Sequence, residues 1–288
     1  MTEQWFNFTH ASPHCMEYIC KSCGNQFTGR YCNQCGEKVI LPEDKSLKAL
    51  FSSILVAITF ADSKVFRTLA YVIRNPGYIS KEASEGRTVR YLRPLSLFFV
   101  LNLIYFLLPL IQLFNARWKT QLVSTYGALV KYMSSAWMVR NGIRPDKNGI
   151  NAFELLYNET TLGFAKLMVV VFVVLASLPL NFLYRRSGRL FADHFGLMVE
   201  LACFNLLVNA LFITIMAKVL PIGGFLDETV LTIIFVTTNF YFVLRSTATF
   251  YGDNGWKWVI RSLLIVLLLK VALELYRLVL FLVTIWSL

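Results

Sequence analysis

The chain has 288 residues, of which 56% are hydrophobic and only 16% are charged, whereas an ordinary soluble domain has roughly 25% charged residues. Apolar runs of about 20 residues recur after residue 93, and this length crosses a hydrocarbon layer of ~30 Å, so the composition excludes a purely soluble fold. The formal net charge of +11 does not favour a nucleic-acid partner. Basic residues are interleaved with acids before the first apolar run, and most of the others flank later runs.

The predicted elements begin with a polar head over residues 1–41, which Pro42 closes. The head contains two matching knuckles, Cys20-Lys21-Ser22-Cys23-Gly24 and Cys32-Asn33-Gln34-Cys35-Gly36. Each knuckle holds two thiols on one tight turn, and four thiolates close a tetrahedral zinc site that leaves no position for a reacting water. The sequence therefore predicts a zinc ribbon with one structural Zn²⁺ per chain. The predicted ligands are Cys20, Cys23, Cys32 and Cys35.

Residues 42–93 predict amphipathic helices ahead of the membrane. Apolar residues recur at three- and four-residue spacing from Leu47 to Ile58, and a second helix begins near Ser63 and ends before the Asn75-Pro76-Gly77 turn. Lysine and arginine residues on these helices favour a position in the lipid headgroup layer. Packing of the same helices against the membrane bundle is an open alternative.

Residues 94–288 predict a transmembrane helical domain, so the expected fold class is an all-α polytopic membrane bundle of about five transmembrane helices. The expected spans are residues 94–114, with a kink at Pro109, then 162–184, 195–220, 225–244, and a last span from residue 258 almost to the C-terminus. Residues 115–161 contain several tryptophans and tyrosines, which indicates helices lying at the outer interface.

The short loops predict the orientation of the spans. Loops 185–194 and 245–257 contain basic residues, whereas loop 221–229 contains two acids and no base. Because basic residues mark the cytoplasmic side, five spans place the N-terminus inside and the C-terminus outside. The N-terminal residues also lack the basic and apolar regions of a signal peptide, so the head is expected in the cytosol.

Six charged or ionisable residues in or beside the spans form candidate intramembrane polar sites. They are Asp193, His194, Glu200, Lys270, Glu274 and Arg277. The last three share one helical face, and such residues usually face the bundle interior. They indicate either a structural ion-pair network or a polar pathway for a proton, an ion or a lipid headgroup. For the first three, a helix-capping Asp beside a hydrogen-bonded His is favoured over a proton relay or a metal-ligand pair.

Several segments together resemble a known family. They are the double Cys-x-x-Cys-Gly head, Asn75-Pro76-Gly77, the Glu85-to-Pro94 segment, Asp193-His194, and Tyr251-Gly252-Asp253 with Trp256-Lys257. In these motifs the chain resembles a family of bacterial membrane proteins known only as a domain of unknown function. The resemblance implies a zinc ribbon on a multi-span domain in a bacterial inner membrane, and it implies no activity.

The sequence favours a non-enzymatic function. It contains no nucleotide-binding glycine loop, no nucleophile elbow and no His-Glu-x-x-His motif. A rigid ribbon on a membrane anchor predicts a protein partner at the ribbon, with membrane lipid around the bundle. Two alternatives stay open: a transporter or channel-like protein that uses the intramembrane charges, and a membrane enzyme that acts on lipid near Asp193 and His194.

Overall fold

The computed structural model of the protein describes residues 17–39, 63–108, 114–219 and 228–288. Within these ranges the chain is mostly helical and contains one two-stranded sheet. The strands are β1 (Glu17–Ile19) and β2 (Gln26–Thr28). The helices are α1 (Ser63–Arg74), α2 (Tyr78–Ser84), α3 (Pro94–Leu107), α4 (Trp118–Leu122), α5 (Gly127–Arg140), α6 (Lys147–Leu167), α7 (Val169–Leu183), α8 (Phe191–Phe204), a π-helical segment (Asn205–Phe212), α9 (Ile213–Val219), α10 (Glu228–Tyr251) and α11 (Gly255–Ser287).

The described part of the head is a small ribbon. Strands β1 and β2 pair antiparallel, with Tyr18 opposite Phe27. The buried residues at its centre are Cys20, Phe27 and Cys32. One buried phenylalanine and two cysteines give a module of this size very little hydrophobic stabilisation, which leaves most of its folding free energy to a bound metal.

Two helical stretches among the described residues are long and apolar enough to cross a membrane, Phe191–Val219 and Val230–Tyr251. Helices α6 and α7 add a third if they form one broken span, because they meet at a bend of 59°. The predicted span 162–184 therefore begins inside α6 and continues across this bend. The chain has the helices of a membrane protein, but the five spans predicted from the sequence are not confirmed.

Helices α3 and α11 fall outside that count for different physical reasons. Helix α3 has 14 residues and is about 21 Å long at 1.5 Å per residue, short of a ~30 Å hydrocarbon layer. Its predicted continuation to residue 114, with the kink at Pro109, lies partly outside the described residues. Helix α11 has 33 residues and is long enough, but its middle contains Lys270, Glu274 and Arg277.

Helix α10 continues seven residues past the predicted end of its span at Leu244. Ser246 and Thr247 are buried there, and their hydroxyls donate to the backbone oxygen of Val243 at 3.2 and 2.9 Å. Because these hydroxyls find acceptors inside their own helix, polar residues continue the helix without exposing unpaired groups. The end of the hydropathic run therefore did not mark the end of the helix.

The π-helical segment contains the main polar contact between α8 and α10. Asn205 and Asn239 exchange reciprocal amide hydrogen bonds of 2.9 and 3.0 Å, and Asn209 donates to Asn205 at 2.7 Å and to Thr238 at 3.1 Å. Buried amides that satisfy one another hold transmembrane helices together. The asparagines inside the apolar runs therefore act as interhelical contacts.

The segment predicted to lie at the outer interface forms a small helical layer. Helices α4, α5 and α6 pack against the C-terminal end of α11, around Trp118, Phe153, Tyr157 and Phe281. The Trp118 indole donates to the Ser134 hydroxyl at 3.0 Å. Of the tryptophans and tyrosines in this segment, Trp118 and Tyr157 are thus core residues of the layer, whereas Tyr132 is exposed.

Helix α1 lies where the sequence predicts the second amphipathic helix, whereas the first, over residues 47–58, lies outside the described residues. Helices α1 and α2 bury Val72 and Ile79 in the main core. Gly77, between them, has φ +83°, and a Cβ there would lie 2.9 Å from the Ser246 backbone. The close approach of this turn to α10 therefore requires glycine.

Candidate functional site

The four predicted zinc ligands converge in the ribbon. The thiol sulfurs of Cys20, Cys23, Cys32 and Cys35 all lie within 4.8 Å of one another. The Cys20–Cys35 sulfur distance is 3.4 Å, and the Cys23–Cys32 distance is 3.6 Å. Zn–S bonds of about 2.3 Å in a tetrahedron place sulfurs about 3.8 Å apart. The four sulfurs therefore fit a tetrahedral metal site, and all four are free of disulfides.

The two knuckles have the same backbone geometry. Gly24 and Gly36 have φ values of +76° and +73°, and their N–H groups each donate at 2.8 Å to the carbonyl of the first cysteine of their knuckle. The backbone N–H groups of Asn25 and Glu37 lie at the thiols of Cys23 and Cys35. This positive φ is easily adopted only by glycine, so each Cys-x-x-Cys-Gly turn directs backbone amides at sulfur.

The ribbon favours the thiolate form at Cys32 in particular. At Cys23 and Cys35 the backbone N–H groups of Asn25 and Glu37 lower the pKa, but burial and the neighbouring thiols outweigh them and raise it. Desolvation opposes ionisation of Cys32, but the backbone N–H groups of Cys35 and Gln34 and the neighbouring thiols outweigh it and lower the pKa of Cys32 to about 6. Thiolates are the form of cysteine that binds metal. The amides that stabilise a thiolate without metal also stabilise metal-bound sulfur.

Glu37, which directly follows the second knuckle, attaches the ribbon to the rest of the protein. Its side chain is buried, and it accepts hydrogen bonds from the Thr88 backbone N–H at 3.2 Å, the Thr88 hydroxyl at 3.1 Å and the Val89 N–H at 3.3 Å. Ser22, from the first knuckle, donates to the same carboxylate at 2.6 Å. A buried carboxylate with several donors is a strong, directional contact.

The backbone of Glu37 belongs to the metal-binding turn. Its carbonyl accepts from the Cys32 N–H at 2.7 Å, and its own N–H lies at the Cys35 thiol. The side chain of the same residue holds Thr88 and Val89, a few residues before α3 begins. The conformation of the second knuckle and the position of the ribbon on the membrane domain therefore depend on one residue.

The structure does not bring Asp193, His194 and Glu200 together as one site. Asp193 accepts from the Leu190 N–H at 2.9 Å, and His194 Nδ1 lies 2.6 Å from the Tyr251 hydroxyl. In these contacts Asp193 caps the first turn of α8, and His194 is hydrogen-bonded to Tyr251 of α10. Residues six apart on a helix point in different directions, which separates Glu200 from His194.

Glu200 caps the N-terminus of another helix. Its fully buried carboxylate accepts from the Gly77 N–H at 2.9 Å, the Ser80 N–H at 2.8 Å and the Ser80 hydroxyl at 2.5 Å. These are the free amides that open α2, and a carboxylate there satisfies the amides and the helix dipole. Glu200 thus fixes α2 against α8.

A polar cluster that the sequence did not predict lies where α7, α10 and α11 meet. Asp253 accepts from the Tyr184 hydroxyl at 2.5 Å and from Arg261 at 2.7 Å. The rings of Tyr184 and Tyr251 stack with centroids 3.6 Å apart. Tyr251 and Asp253 belong to the motifs that carry the family resemblance, but no local pattern in the sequence indicates their partners on other helices.

The three charged residues of α11 contact one another. Glu274 pairs with Lys270 at 3.0 Å and with Arg277 at 3.5 Å. The Lys270 side chain is 61% exposed, whereas those of Glu274 and Arg277 are 20% and 22% exposed. The cluster is therefore an ion-pair network on one helix face, with Lys270 directed away from the bundle interior.

Comparisons with known proteins give one match, to a family model over part of the chain, and that family has no known activity. The family model described as "Protein of unknown function (DUF3667)" matches residues 62–106. This stretch includes Thr88 and Val89, which hold the ribbon, and Gly77 and Ser80, which bind Glu200. No curated protein and no solved structure matches the chain.

Proposed function

We propose that the protein is a non-enzymatic protein of the bacterial inner membrane whose cytosolic zinc ribbon binds a protein partner or passes a regulatory signal to the membrane domain. The observation that carries this proposal is the double role of Glu37, whose backbone shapes the second knuckle and whose carboxylate holds Thr88 and Val89. Metal binding folds the ribbon, so metal also sets how the ribbon sits ahead of α3.

The chemistry of the metal centre supports a structural role. Four cysteine sulfurs fill a tetrahedral Zn²⁺ shell, so no coordination position is open to a substrate or water. The polar groups closest to a conventional acid–base pair, His194 and Glu200, are buried and bonded to neighbouring helices. These contacts hold neighbouring helices together. Within the part of the chain that the structure describes, they do not form a pair that could act on a substrate.

The ribbon offers a surface for a partner. Ile19 and Tyr31 are 68% and 60% exposed, on a module whose backbone is held by the knuckles. Exposed apolar and aromatic side chains on a rigid support are typical anchors of protein interfaces. We assign the partner contact to these two side chains.

The proposal includes five spans, with the ribbon inside and the C-terminus outside. The spans are α3, the α6–α7 pair, the helix from Phe191 to Val219, α10 and α11. Arg185, Arg186 and Arg189 precede the third span, which supports a cytoplasmic position for that loop. Reporter fusions at residues 187–191 and 247–255 are expected to report cytoplasm, and fusions near 145 and 224 the outside.

Affinity purification of the full chain from membranes, with partners identified by mass spectrometry, tests the proposal. The double variant Ile19→Ala, Tyr31→Ala is expected to retain zinc and lose the partner, whereas Cys20→Ser, Cys23→Ser loses both. Gln26→Ala, an exposed polar change on β2, serves as the matched control and should retain both. Recovery of the same proteins with all four chains would contradict a partner site on the ribbon.

A transporter or channel-like function is the second candidate, and one observation favours it. Glu274 Oε2 is buried and has no hydrogen-bond partner among the described residues, which is uncommon for a carboxylate oxygen. A pathway residue would use such an oxygen for an ion or a substrate. Paired substitution of Lys270 and Glu274 separates the two functions.

A further inference from the structure

A cavity of about 380 Å³ lies between the zinc ribbon and the membrane domain. Its volume is within the range of ~300–1,000 Å³ that is usual for small-ligand sites. The first knuckle, α2 and the first turns of α3 and α8 enclose it. Its polar lining residues include Lys21, Ser80, Ser84, Arg93 and Asp193.

The charges around this cavity come from three separate elements. Lys21 belongs to the first knuckle, Arg93 precedes α3, and Asp193 lies in the first turn of α8. None of the three forms an ion pair with another residue in the part of the chain that the structure describes. Asp193 uses its Oδ2 atom to accept from the Leu190 N–H at 2.9 Å, so its Oδ1 atom is still able to accept. Two cations and a carboxylate therefore line one cavity without neutralising one another.

The other side of the cavity is apolar. Leu95 lines it from the first turn of α3, and Phe195 and Val199 line it from the second and third turns of α8. The α8 stretch is one of the two described helices that are long and apolar enough to cross a membrane, so Phe195 lies near the start of a helix that can enter a hydrocarbon layer. A soluble anion would complement only the charged side, whereas a phospholipid complements both sides.

We propose that this cavity binds the headgroup of a phospholipid that carries an amino group. The phosphodiester binds Lys21 and Arg93, the ammonium group binds Asp193, and the acyl chains leave along Leu95 and Phe195. A headgroup with phosphate alone would leave the Asp193 carboxylate facing an anion. The lipid site goes beyond the proposed partner function, because it does not depend on any contact of Ile19 or Tyr31.

Native mass spectrometry of the zinc-loaded full chain in detergent, titrated with phosphatidylethanolamine, phosphatidylglycerol or phosphatidylcholine, tests the proposal. We expect one phosphatidylethanolamine per chain at the lowest lipid concentrations. Arg93→Gln and Lys21→Gln should each weaken its binding about tenfold or more, because each removes a charged donor to phosphate. Asp193→Asn should abolish the preference for phosphatidylethanolamine over phosphatidylglycerol while keeping an oxygen for the Leu190 N–H.

Arg90→Gln is the matched control, because Arg90 is exposed, lies three residues before Arg93 and does not line the cavity. Zinc content and monodisperse elution verify that each variant is folded, and Lys21 is an exposed ribbon residue whose change leaves the membrane helices intact. Displacement of the lipid by soluble O-phosphoethanolamine would support the headgroup contacts. Equal displacement by inorganic phosphate, tighter binding of phosphatidylglycerol, or identical behaviour of Arg90→Gln and Arg93→Gln would overturn the proposal.

Discussion

Replacing Glu37 with alanine tests the link between the ribbon and the membrane domain. Its carboxylate is 4% exposed and binds three donors across the contact, two on Thr88 and one on Val89. Hydrogen bonds to a charged group contribute about 1.5–3 kcal/mol each, and the distances of 3.1–3.3 Å place these three at the lower end. The substitution should therefore weaken docking by about 4.5 kcal/mol, or roughly 10³-fold in the docking equilibrium, at 1.4 kcal/mol per tenfold.

Amide hydrogen exchange of the zinc-loaded full chain measures this change. The Thr88 and Val89 amides should exchange faster by about the same factor in Glu37→Ala, since the exchange rate follows the open population. Glu37→Gln keeps an acceptor oxygen but loses the charge, and it should give an intermediate rate. Glu17→Ala is the matched control, because Glu17 is a ribbon carboxylate that is exposed.

Zinc content distinguishes undocking from unfolding of the ribbon. Glu37→Ala keeps the four cysteines and the backbone of the knuckle, so it should still hold one zinc. Unchanged exchange at Thr88 and Val89 in a variant that retains zinc would refute the docking role of Glu37. Loss of zinc together with faster exchange would show that the side chain stabilises the metal site itself.

Three further predictions concern the membrane domain. Gly77→Ala should lower the thermal unfolding temperature and the amount of protein in the membrane. Gly77 has φ +83°, and a Cβ there would lie 2.9 Å from backbone atoms of α10. A thermal unfolding series and a membrane-abundance assay measure the two effects. Asn205→Leu should destabilise the bundle by about 1–3 kcal/mol by leaving the buried Asn239 amide unpaired, and the double variant Asn205→Leu, Asn239→Leu should recover part of that loss in a denaturation series. Lys270→Met should reduce protein abundance because it leaves the Glu274 carboxylate with only the longer contact of 3.5 Å to Arg277, and Lys270→Met, Glu274→Leu should restore abundance and function if the pair is structural. A stable but inactive double variant would support the transport function instead.

The sequence was sufficient where a pattern is local. The spacing of Cys20, Cys23, Cys32 and Cys35 required no knowledge of the fold, because each knuckle is one turn and its geometry follows from the trailing glycine. The long apolar run around Phe195 to Leu220 likewise corresponds to the helix from Phe191 to Val219. These features depend only on residues close together in the sequence, so the sequence is enough to predict them.

The rest depended on partners distant in sequence. Glu37 and Thr88 are 51 residues apart, and Ser80 and Glu200 are 120 apart. From the sequence alone, Glu37 is expected to be solvated because it follows a knuckle. Glu200 lies inside an apolar run, so it is expected to be a pathway residue or an ion-pair partner. One sequence feature could have indicated the role of Glu37. The residue after the first knuckle is the uncharged Asn25, whereas the residue after the second knuckle is the charged Glu37. Only the folded contact shows why a charge is needed there.

The span count is confirmed only in part, for a related reason. Hydropathy measures how apolar a run is, whereas a span also requires a continuous helix of sufficient length. Helix α3 ends at Leu107, and α6 and α7 bend by 59° at a short break. Pro109 signals the end of α3, but no proline or glycine stands at Met168, where α6 and α7 bend, so composition alone indicated a continuous span there.

X-ray absorption spectroscopy at the zinc edge on the purified full chain tests the central claim most directly. A structural zinc ribbon predicts one zinc per chain with four sulfur neighbours at about 2.3 Å and no nitrogen or oxygen neighbour. The variant Cys32→Ser, Cys35→Ser should lose this signal and still insert into the membrane, because the helices satisfy their own backbone hydrogen bonds without the ribbon. A well-folded chain without zinc, or a zinc with fewer than four sulfur neighbours, would contradict the account.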